Sequence, residues 1–482
     1  MGLTACTLRR KTMYKSTDYE HEQLSFINFN MACGMQLDMN NEWIRIAQQL
    51  PWKAWEALYV AIFPSNTGNV AKPCRMVLGS LILQMRLGFT DRELVDQLRQ
   101  NPYYQYFIGL PSFQHTAPFT RTLLVEWRKR IDLQFVLNAN NLLCDAAPKT
   151  FRFRKKQGAA TRYGTLLATQ ICDATVAPQY IRYPQDTSLL NEARSKLEKI
   201  IDFFCNTYGL EKPRTYCRIA HKEYLAFARA KKPSADKVRA AVCAQLGYVR
   251  RDLEYIDRFM QLGYAPATKF IDQIITIHLL YEQQKYMYDN KTHSVDNRIV
   301  SISQPYVRPV VRGKAKAPTE FGAKLHLSID ETGFGRIEYL SFNAFNEGPM
   351  LIDALNAYRY RNGFYPKRVL VDKIYRTKDN IRFCNENGIR ISGPKLGRPF
   401  KDEKTLRKNR KTAAKDNTDR IEIERYFSTA KRRNGMGRIA RKREDTSLST
   451  IAMSVLVTNI FGTFKLAVEE FENEKLKSSK AW

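Results

Sequence analysis

The sequence predicts a mixed α/β protein in which an all-α N-terminal module precedes a sheet module with a large helical insertion. Apolar residues recur at helical spacing through most of the first 150 residues. Strand-like patterns occur in TLLATQICDATV and again near residue 320, and the stretch between them is helical in pattern. A chain of 482 residues with 44% hydrophobic content can bury more than one core, so we expect several domains.

The composition indicates a polyanionic partner. The formal net charge is +30, and neutralising phosphates with release of their counterions drives nucleic-acid binding. The nine cysteines form no CxxC pair, which argues against a zinc ribbon and for a reducing compartment. No apolar run reaches the length of about 18 residues that a membrane span needs, and the N-terminus lacks a signal-peptide pattern. We expect a cytoplasmic, nucleoid-associated protein without membrane contact.

The first helices include a candidate helix-turn-helix. The run MVLGSLILQMRLGFTDRELVDQLRQ predicts two amphipathic helices, with Gly88 ending the first and Thr90 with Glu93 beginning the second. Simple three-helix packing is the alternative. The following run TRTLLVEWRKRI is basic, and its cations either meet DNA phosphates or form a solvated helix face.

A basic, Gly-containing stretch between Lys149 and Arg162 marks a linker and sets the first domain boundary. The predicted domains are a helical N-terminal DNA-binding domain at 1–150, a first part of the sheet module at 151–187, a helical insertion at 188–300, the remainder of the sheet module at 301–470, and a tail at 471–482. The insertion is either a surface for DNA or a second protomer, or a bundle that packs on the core.

Two aspartates follow strand-like runs. Asp173 stands in ICDATV, where a sheet would hold a carboxylate rigidly, and Asp372 follows the short apolar run at 368–371. Before Asp372 the chain has a hairpin pattern around Gly333 and then a helical run. That order is expected of a ribonuclease-H-like sheet. An aspartate that merely starts a turn is the alternative interpretation at each position.

A third acid lies in the helical run RIEIERYFSTAKRR. Arg420, Glu424 and Lys431 are spaced to share one stripe of that helix, whereas Glu422 lies about 200° round from Glu424. Glu424 is therefore the better candidate. Arg420 is placed to orient the carboxylate or a phosphate, although a surface helix with ion pairs within it remains the alternative.

Three carboxylates suit phosphodiester chemistry. Two divalent metals about 4 Å apart can activate the attacking oxygen and stabilise the leaving oxygen, and Mg2+ prefers oxygen ligands. The three acids together thus resemble a DDE nuclease site.

The chain as a whole resembles a DDE transposase of a bacterial insertion sequence. The resemblance covers ICDATV, QPYVRPVVRGKAKAPTEFGAKLHLS, FNAFNEG, VLVDKIYRT, GPKLGRP and RIEIERYFSTAKRRNGMGRI, in that order. The family's Tyr-Arg-Glu-Lys signature is matched by Arg420, Glu424 and Lys431. Asn417 stands at the Tyr position, and Tyr426 is a candidate to replace the missing aromatic contact with DNA. Glu320, Asn346 and Glu347 match family motifs without an assigned role.

The resemblance implies that Asp173, Asp372 and Glu424 bind two Mg2+ ions, for which Mn2+ can substitute. It also implies strand cleavage at the ends of a mobile element followed by strand transfer into target DNA. The expected partner is double-stranded DNA, bound by a homodimer or a larger synaptic complex. The residues expected to contact DNA are Arg420, Lys431, Lys395, Arg398, Arg432, Arg433 and Tyr375.

Two other functions stay open at this point. A domesticated, sequence-specific DNA-binding regulator would keep the basic surface but lose an acid, and all three acids are present. A structure-specific nuclease on the same fold would keep the acids without needing a sequence-specific N-terminal module. Binding to particular terminal repeats separates these functions.

Overall fold

The computed structural model describes residues 36–63, 69–146, 168–314, 317–393 and 402–464. The predicted linker and the predicted tail 471–482 lie outside these ranges, as do Lys395 and Arg398. Within them the chain is mixed α/β, as the sequence predicts.

The part of the chain before the sheet is helical. Its helices are α1 Glu42–Gln49, α2 Trp52–Ala61, α3 Cys74–Leu87, α4 Asp91–Gln100, α5 Pro102–Phe107, α6 Arg121–Arg130 and α7 Leu133–Ala146. The predicted start of α4 is confirmed, because the Thr90 hydroxyl accepts from the Glu93 N–H and the Glu93 carboxylate accepts from the Thr90 N–H. Gly88 ends α3 in the left-handed region, with φ of +73°.

The candidate helix-turn-helix, α3 and α4, is built into a helical core. Most of α3 is buried, and α4 is held to α6 by an ion pair in which Arg128 Nη2 lies 2.5 Å from Asp91 Oδ2. The Arg128 side chain is only 10% exposed. This cation therefore stabilises helix packing and is not free to meet DNA phosphates.

The sheet contains both parallel and antiparallel neighbours. Its strands are β1 Thr169–Pro178, β2 Pro309–Lys314, β3 Ala317–Ile329, β4 Gly335–Ser341, β5 Arg368–Leu370 and β6 Arg390–Ile391. Their order is β2-β3-β1-β5-β6, and β4 also pairs with β3. β1 is antiparallel to β3 and parallel to β5, which is parallel to β6. The predicted turn of the β3–β4 hairpin is confirmed, since Gly333 adopts φ of +83° there.

The chain between β1 and β2 is mostly helical, as predicted. It forms α8 Asp186–Tyr208, α9 Cys217–Arg229, α10 Ala235–Gln261 and α11 Thr268–Asp289. These helices bury a hydrophobic core of their own, to which Leu197, Val249 and Ile277 contribute fully buried side chains. The insertion therefore has a hydrophobic core that is distinct from the core of the sheet.

The remaining helices surround the sheet. They are α12 Met350–Asn362, α13 Lys378–Glu386, α14 Glu403–Arg433 and α15 Glu444–Asn459. One side of α15 packs on the sheet, where Ile451 and Val455 join the sheet core. Met453 and Leu456 pack into the N-terminal helical core. The buried helix α15 therefore joins the two cores. No helix among the described residues is long and apolar enough to span a membrane.

Buried ion pairs attach α14 to the edge of the sheet. Asp416, whose side chain is 4% exposed, accepts from Arg368 of β5 at 3.2 Å and from Arg390 of β6 at 2.6 Å. Arg368 also contacts Asp419, one helical turn further along α14, at 2.6 Å. The long helix is thereby fixed in position along the sheet.

We expect Asp416→Ala to destabilise the protein by about 2 kcal/mol, because it removes the buried carboxylate that accepts from Arg368 and Arg390, while Arg368 keeps its contact with Asp419. The matched control is Asp379→Ala, which breaks the exposed Asp379–Arg382 pair and should cost less than about 1 kcal/mol. Denaturant unfolding of both variants measures the difference. Equal losses would contradict this account of how α14 is held.

Candidate active site

The register of two parallel strands brings Asp173 and Asp372 together. The last residues of β1 and β5 that pair with each other are Ile171 and Leu370. Asp173 lies two residues beyond this pair within β1, and Asp372 lies two residues beyond it, just after the end of β5. Neighbouring strands run about 4.8 Å apart. The two acids therefore reach the same level at the carboxyl end of β5, a place where open α/β sheets bind ligands.

The third acid comes from α14. Ile423 and Phe427 of this helix pack into the sheet core with Leu327, the residue of β3 that pairs with Asp173. Side chains of paired residues share a face of a sheet, so α14 lies over the face that carries Asp173. The same packing turns Arg420 and Glu424 toward that aspartate.

Arg420 joins two of the three carboxylates. Its Nη1 lies 3.5 Å from Asp173 Oδ2, and its Nη2 lies 3.0 Å from Glu424 Oε1. Glu422, the rival acid, instead pairs with Arg425 at 2.6 Å. The geometry favours Glu424, as the helical spacing predicts.

The surroundings of Asp173 disfavour the charged form of its carboxyl group. Burial raises the pKa of Asp173 to about 6, and the nearby carboxylates of Glu347 and Asp372 act in the same direction. A hydrogen bond from the Ala174 N–H and the positive charge of Arg420 oppose the rise. Charged acids gathered in this way favour a cation between them.

Two family matches bear on this chain. Residues 31–130 match the family described as transposase domain (DUF772), and residues 369–461 match the transposase DDE domain. The second match spans Asp372, Arg420, Glu424 and Lys431. Two separate regions of the chain are thus similar to transposase domains, and together they cover less than half of it.

A curated relative adds an independent similarity. An uncharacterized protein of Rhizobium meliloti, ORF8 in the nfe locus, is 28% identical to this chain over 179 residues. The similarity covers 37% of this chain and 80% of that protein. No solved structure matches this chain.

Proteins with a transposase DDE domain generally use divalent metal ions. Carboxylate oxygens are the donors that Mg2+ prefers, and the neighbouring Asp173 and Asp372 fit such an ion. Among the described residues, however, no three acidic, His or Cys side chains are arranged to hold a metal. Glu424 is 53% exposed and its carboxylate faces Arg420, so this guanidinium is the cation that the site contains.

The residues predicted to contact DNA have different surroundings. Arg432 and Arg433 are exposed at the end of α14, and Lys431 is partly buried. Tyr375 has no exposed surface and packs in the core between α12 and β5. Its position does not support a contact with DNA. The sequence was misleading because Tyr375 follows Asp372 closely, while the short 3-10 turn at Lys373–Tyr375 directs it inward.

The missing signature tyrosine is not replaced by Tyr426. Asn417 is exposed, whereas the Tyr426 hydroxyl donates to the Val455 carbonyl and its ring lies beneath Gly335.

The sequence assigned no role to one residue that acts on the acids. Glu347 acts electrostatically on Asp173, and its place in FNAFNEG was the signal that could have found it.

We expect Asp173→Asn to stabilise the protein at pH 8 in the absence of metal. The folded-state pKa of about 6 lies above the ordinary value of 3.8, so the folded protein binds this proton more strongly than the unfolded chain. Below about pH 4 the carboxyl group is mostly protonated in both states, and it then costs no stability. Above about pH 6 it is mostly charged, and its burial then lowers the free energy of unfolding by the full amount. The shift corresponds to a gain of up to about 3 kcal/mol on substitution.

Unfolding of both proteins at pH 4 and pH 8 checks this expectation. Asp445→Asn is the control of opposite sign, because hydrogen bonding to Arg443 lowers the pKa of Asp445. That substitution should weaken the protein at pH 8. An Asp173→Asn variant no more stable than the unaltered protein at pH 8 would contradict the assigned environment.

Proposed function

We propose that this protein is a transposase, which binds the ends of its mobile element and uses Asp173, Asp372 and Glu424 for metal-dependent cleavage and transfer of DNA strands. The observation that carries the proposal is the convergence of acids from β1, β5 and α14. Strand register sets Asp173 beside Asp372, and Arg420 connects Asp173 to Glu424. A surface helix with ion pairs only within itself would not reach a buried strand residue.

The sheet supports a ribonuclease-H-like core. The strands β4, β3, β1, β5 and β6 follow one another across the sheet, with the first three antiparallel and the last three parallel. Asp173 lies on the central strand β1, Asp372 follows the parallel strand β5, and Glu424 lies on α14, which packs over the sheet. This arrangement positions carboxylates on rigid elements, which phosphoryl transfer requires.

A bound Mg2+ pair would activate the attacking oxygen and stabilise the leaving oxygen. Asp173 and Asp372 would hold such ions, and Glu424 could join them only if its ion pair with Arg420 opened. The Arg420 guanidinium would then be available to pair with a phosphate oxygen of DNA. In this proposal the acids bind the metal and Arg420 orients the phosphate.

Double-stranded DNA is the proposed partner, on account of the charge of +30 and of the exposed Arg432 and Arg433 at the end of α14, the helix that carries Glu424. The N-terminal helices would recognise the terminal repeats. We also infer that several copies act together on DNA. Ile271, Ile275 and Leu279 form an exposed apolar stripe along α11, a surface suited to a second protomer.

The test is cleavage of DNA that carries the element's ends, with DNA binding measured in parallel. Asp173→Ala, Asp372→Ala and Glu424→Gln should each lower cleavage by at least about 100-fold, because each removes a charge-stabilising ligand. Glu422→Gln, two positions from Glu424 on the same helix, is the matched control and should stay within a few-fold of the unaltered protein.

The outcomes separate the candidate functions. Binding to the ends without cleavage by the unaltered protein would favour the regulator, and cleavage without preference for the ends would favour a structure-specific nuclease. Adding inactive Asp173→Ala chains to the unaltered protein tests joint action. Assembly predicts a greater than proportional loss of cleavage, and a strictly proportional loss would contradict it.

A further inference from the structure

The first half of α14 is exposed along its whole length. Between Glu403 and Lys415, none of the side chains that the structure describes is buried, and the first buried side chain along the helix is Asp416. Further on, Ile423 and Phe427 pack into the sheet core. At a rise of about 1.5 Å per residue, the exposed half is about 20 Å long. The helix thus has one half that the sheet holds and one half that faces solvent.

The exposed half of α14 is strongly basic. It contains six lysines and arginines and one acid, Glu403, so its formal charge is +5 over 13 residues. Glu403 pairs with Arg407 at 2.9 Å. In the described part of the chain, five cations of this half have no acidic partner: Lys404, Lys408, Arg410, Lys411 and Lys415. The protein therefore leaves most of this charge for another molecule to neutralise.

Most of these cations lie on one side of the helix. At about 100° per residue, five of them fall within about 100° of arc and form what we call the basic stripe: Lys404, Arg407, Lys408, Lys411 and Lys415. Like charges four residues apart destabilise a helix, and the stripe has three such pairs, Lys404 with Lys408, Arg407 with Lys411, and Lys411 with Lys415. A bound polyanion would relieve this repulsion.

The basic stripe faces away from the candidate active site. Counted around α14 at about 100° per residue, Glu424 lies about 150° from the middle of the stripe, and Arg420 lies about 170° from it. A DNA duplex that reached these two side chains would therefore approach α14 from the side opposite the stripe. The stripe is suited to a separate segment of DNA.

The length of the basic stripe matches a run of phosphates. From Lys404 to Lys415 the helix rises about 17 Å, which equals the rise of about five phosphates along one strand of a duplex. Lysine and arginine contacts with phosphates release counterions and carry no base sequence information. The stripe would thus hold DNA by its charge, whatever its sequence.

We propose that the basic stripe binds the phosphate backbone of a second DNA duplex while a first duplex occupies the candidate active site. The inference rests on the proposed function, because it takes the first duplex to be bound at the acids. A helix face that is merely solvated is the alternative.

The test is a titration with two duplexes on the full chain. DNA that carries the element's ends is bound first to saturation, and a short labelled duplex of random sequence is then added and followed by fluorescence anisotropy. The stripe variant is Lys408→Gln with Lys411→Gln and Lys415→Gln, since glutamine keeps a similar helix propensity. We expect at least about tenfold weaker binding of the second duplex. The plot of log affinity against log salt should be less steep by about 3.

A control variant loses the same charge elsewhere on the surface. It replaces by glutamine three lysines of the insertion that already pair with acids: Lys196 with Glu192, Lys212 with Asp202, and Lys285 with Asp289. This variant should bind the second duplex as the unaltered protein does. Equal weakening in both variants would assign the effect to net charge and overturn the inference. Circular dichroism checks that both variants are folded.

Binding of the end DNA itself completes the test. The stripe variant should bind the ends as tightly as the unaltered protein. Parallel weakening of both duplexes would place the stripe on the first duplex, and unchanged binding of the second duplex would leave a solvated face, so either result overturns the inference. An unaltered protein that binds the ends but no second duplex overturns only this inference. One that binds no DNA overturns the proposed function as well.

Discussion

The attachment of α14 to the sheet by Asp416 is the constraint on which the active site depends. Asp173 and Glu424 are separated by most of the sheet module in sequence, and only the position of the helix brings them together. Asp416 fixes that position by pairing with Arg368 and Arg390 on the two strands beyond β1. Because Arg368 sits at the start of β5, the same interaction supports the strand that ends next to Asp372.

The excess of positive charge and the local group of acids have different roles in the molecule. The excess of Lys and Arg suits a polyanion over the whole surface, whereas the centre gathers Asp173, Asp372 and Glu347 closely enough to raise the pKa of Asp173. Arg420 partly neutralises this centre in the absence of metal. An active site that is costly without a cation and favourable with one couples metal binding to stability.

Local features of the fold were predictable from sequence because they depend on neighbours in the chain. The capping box at Thr90, the turn at Gly333 and the shared stripe of Arg420 and Glu424 are of this kind. The register that aligns Asp173 with Asp372 was not, because strand pairing depends on residues far apart in sequence. The burial of Tyr375 and the proximity of Glu347 to the acids were missed for the same reason.

Anomalous diffraction from crystals of the protein with DNA that carries the element's ends and with Mn2+ tests the central claim most directly. The account predicts a metal peak at coordination distance, about 2 Å, from carboxylate oxygens of both Asp173 and Asp372, with Arg420 no longer between Asp173 and Glu424. A fully ordered complex whose metal lies elsewhere, or whose Asp173 and Asp372 share no ion, would contradict it.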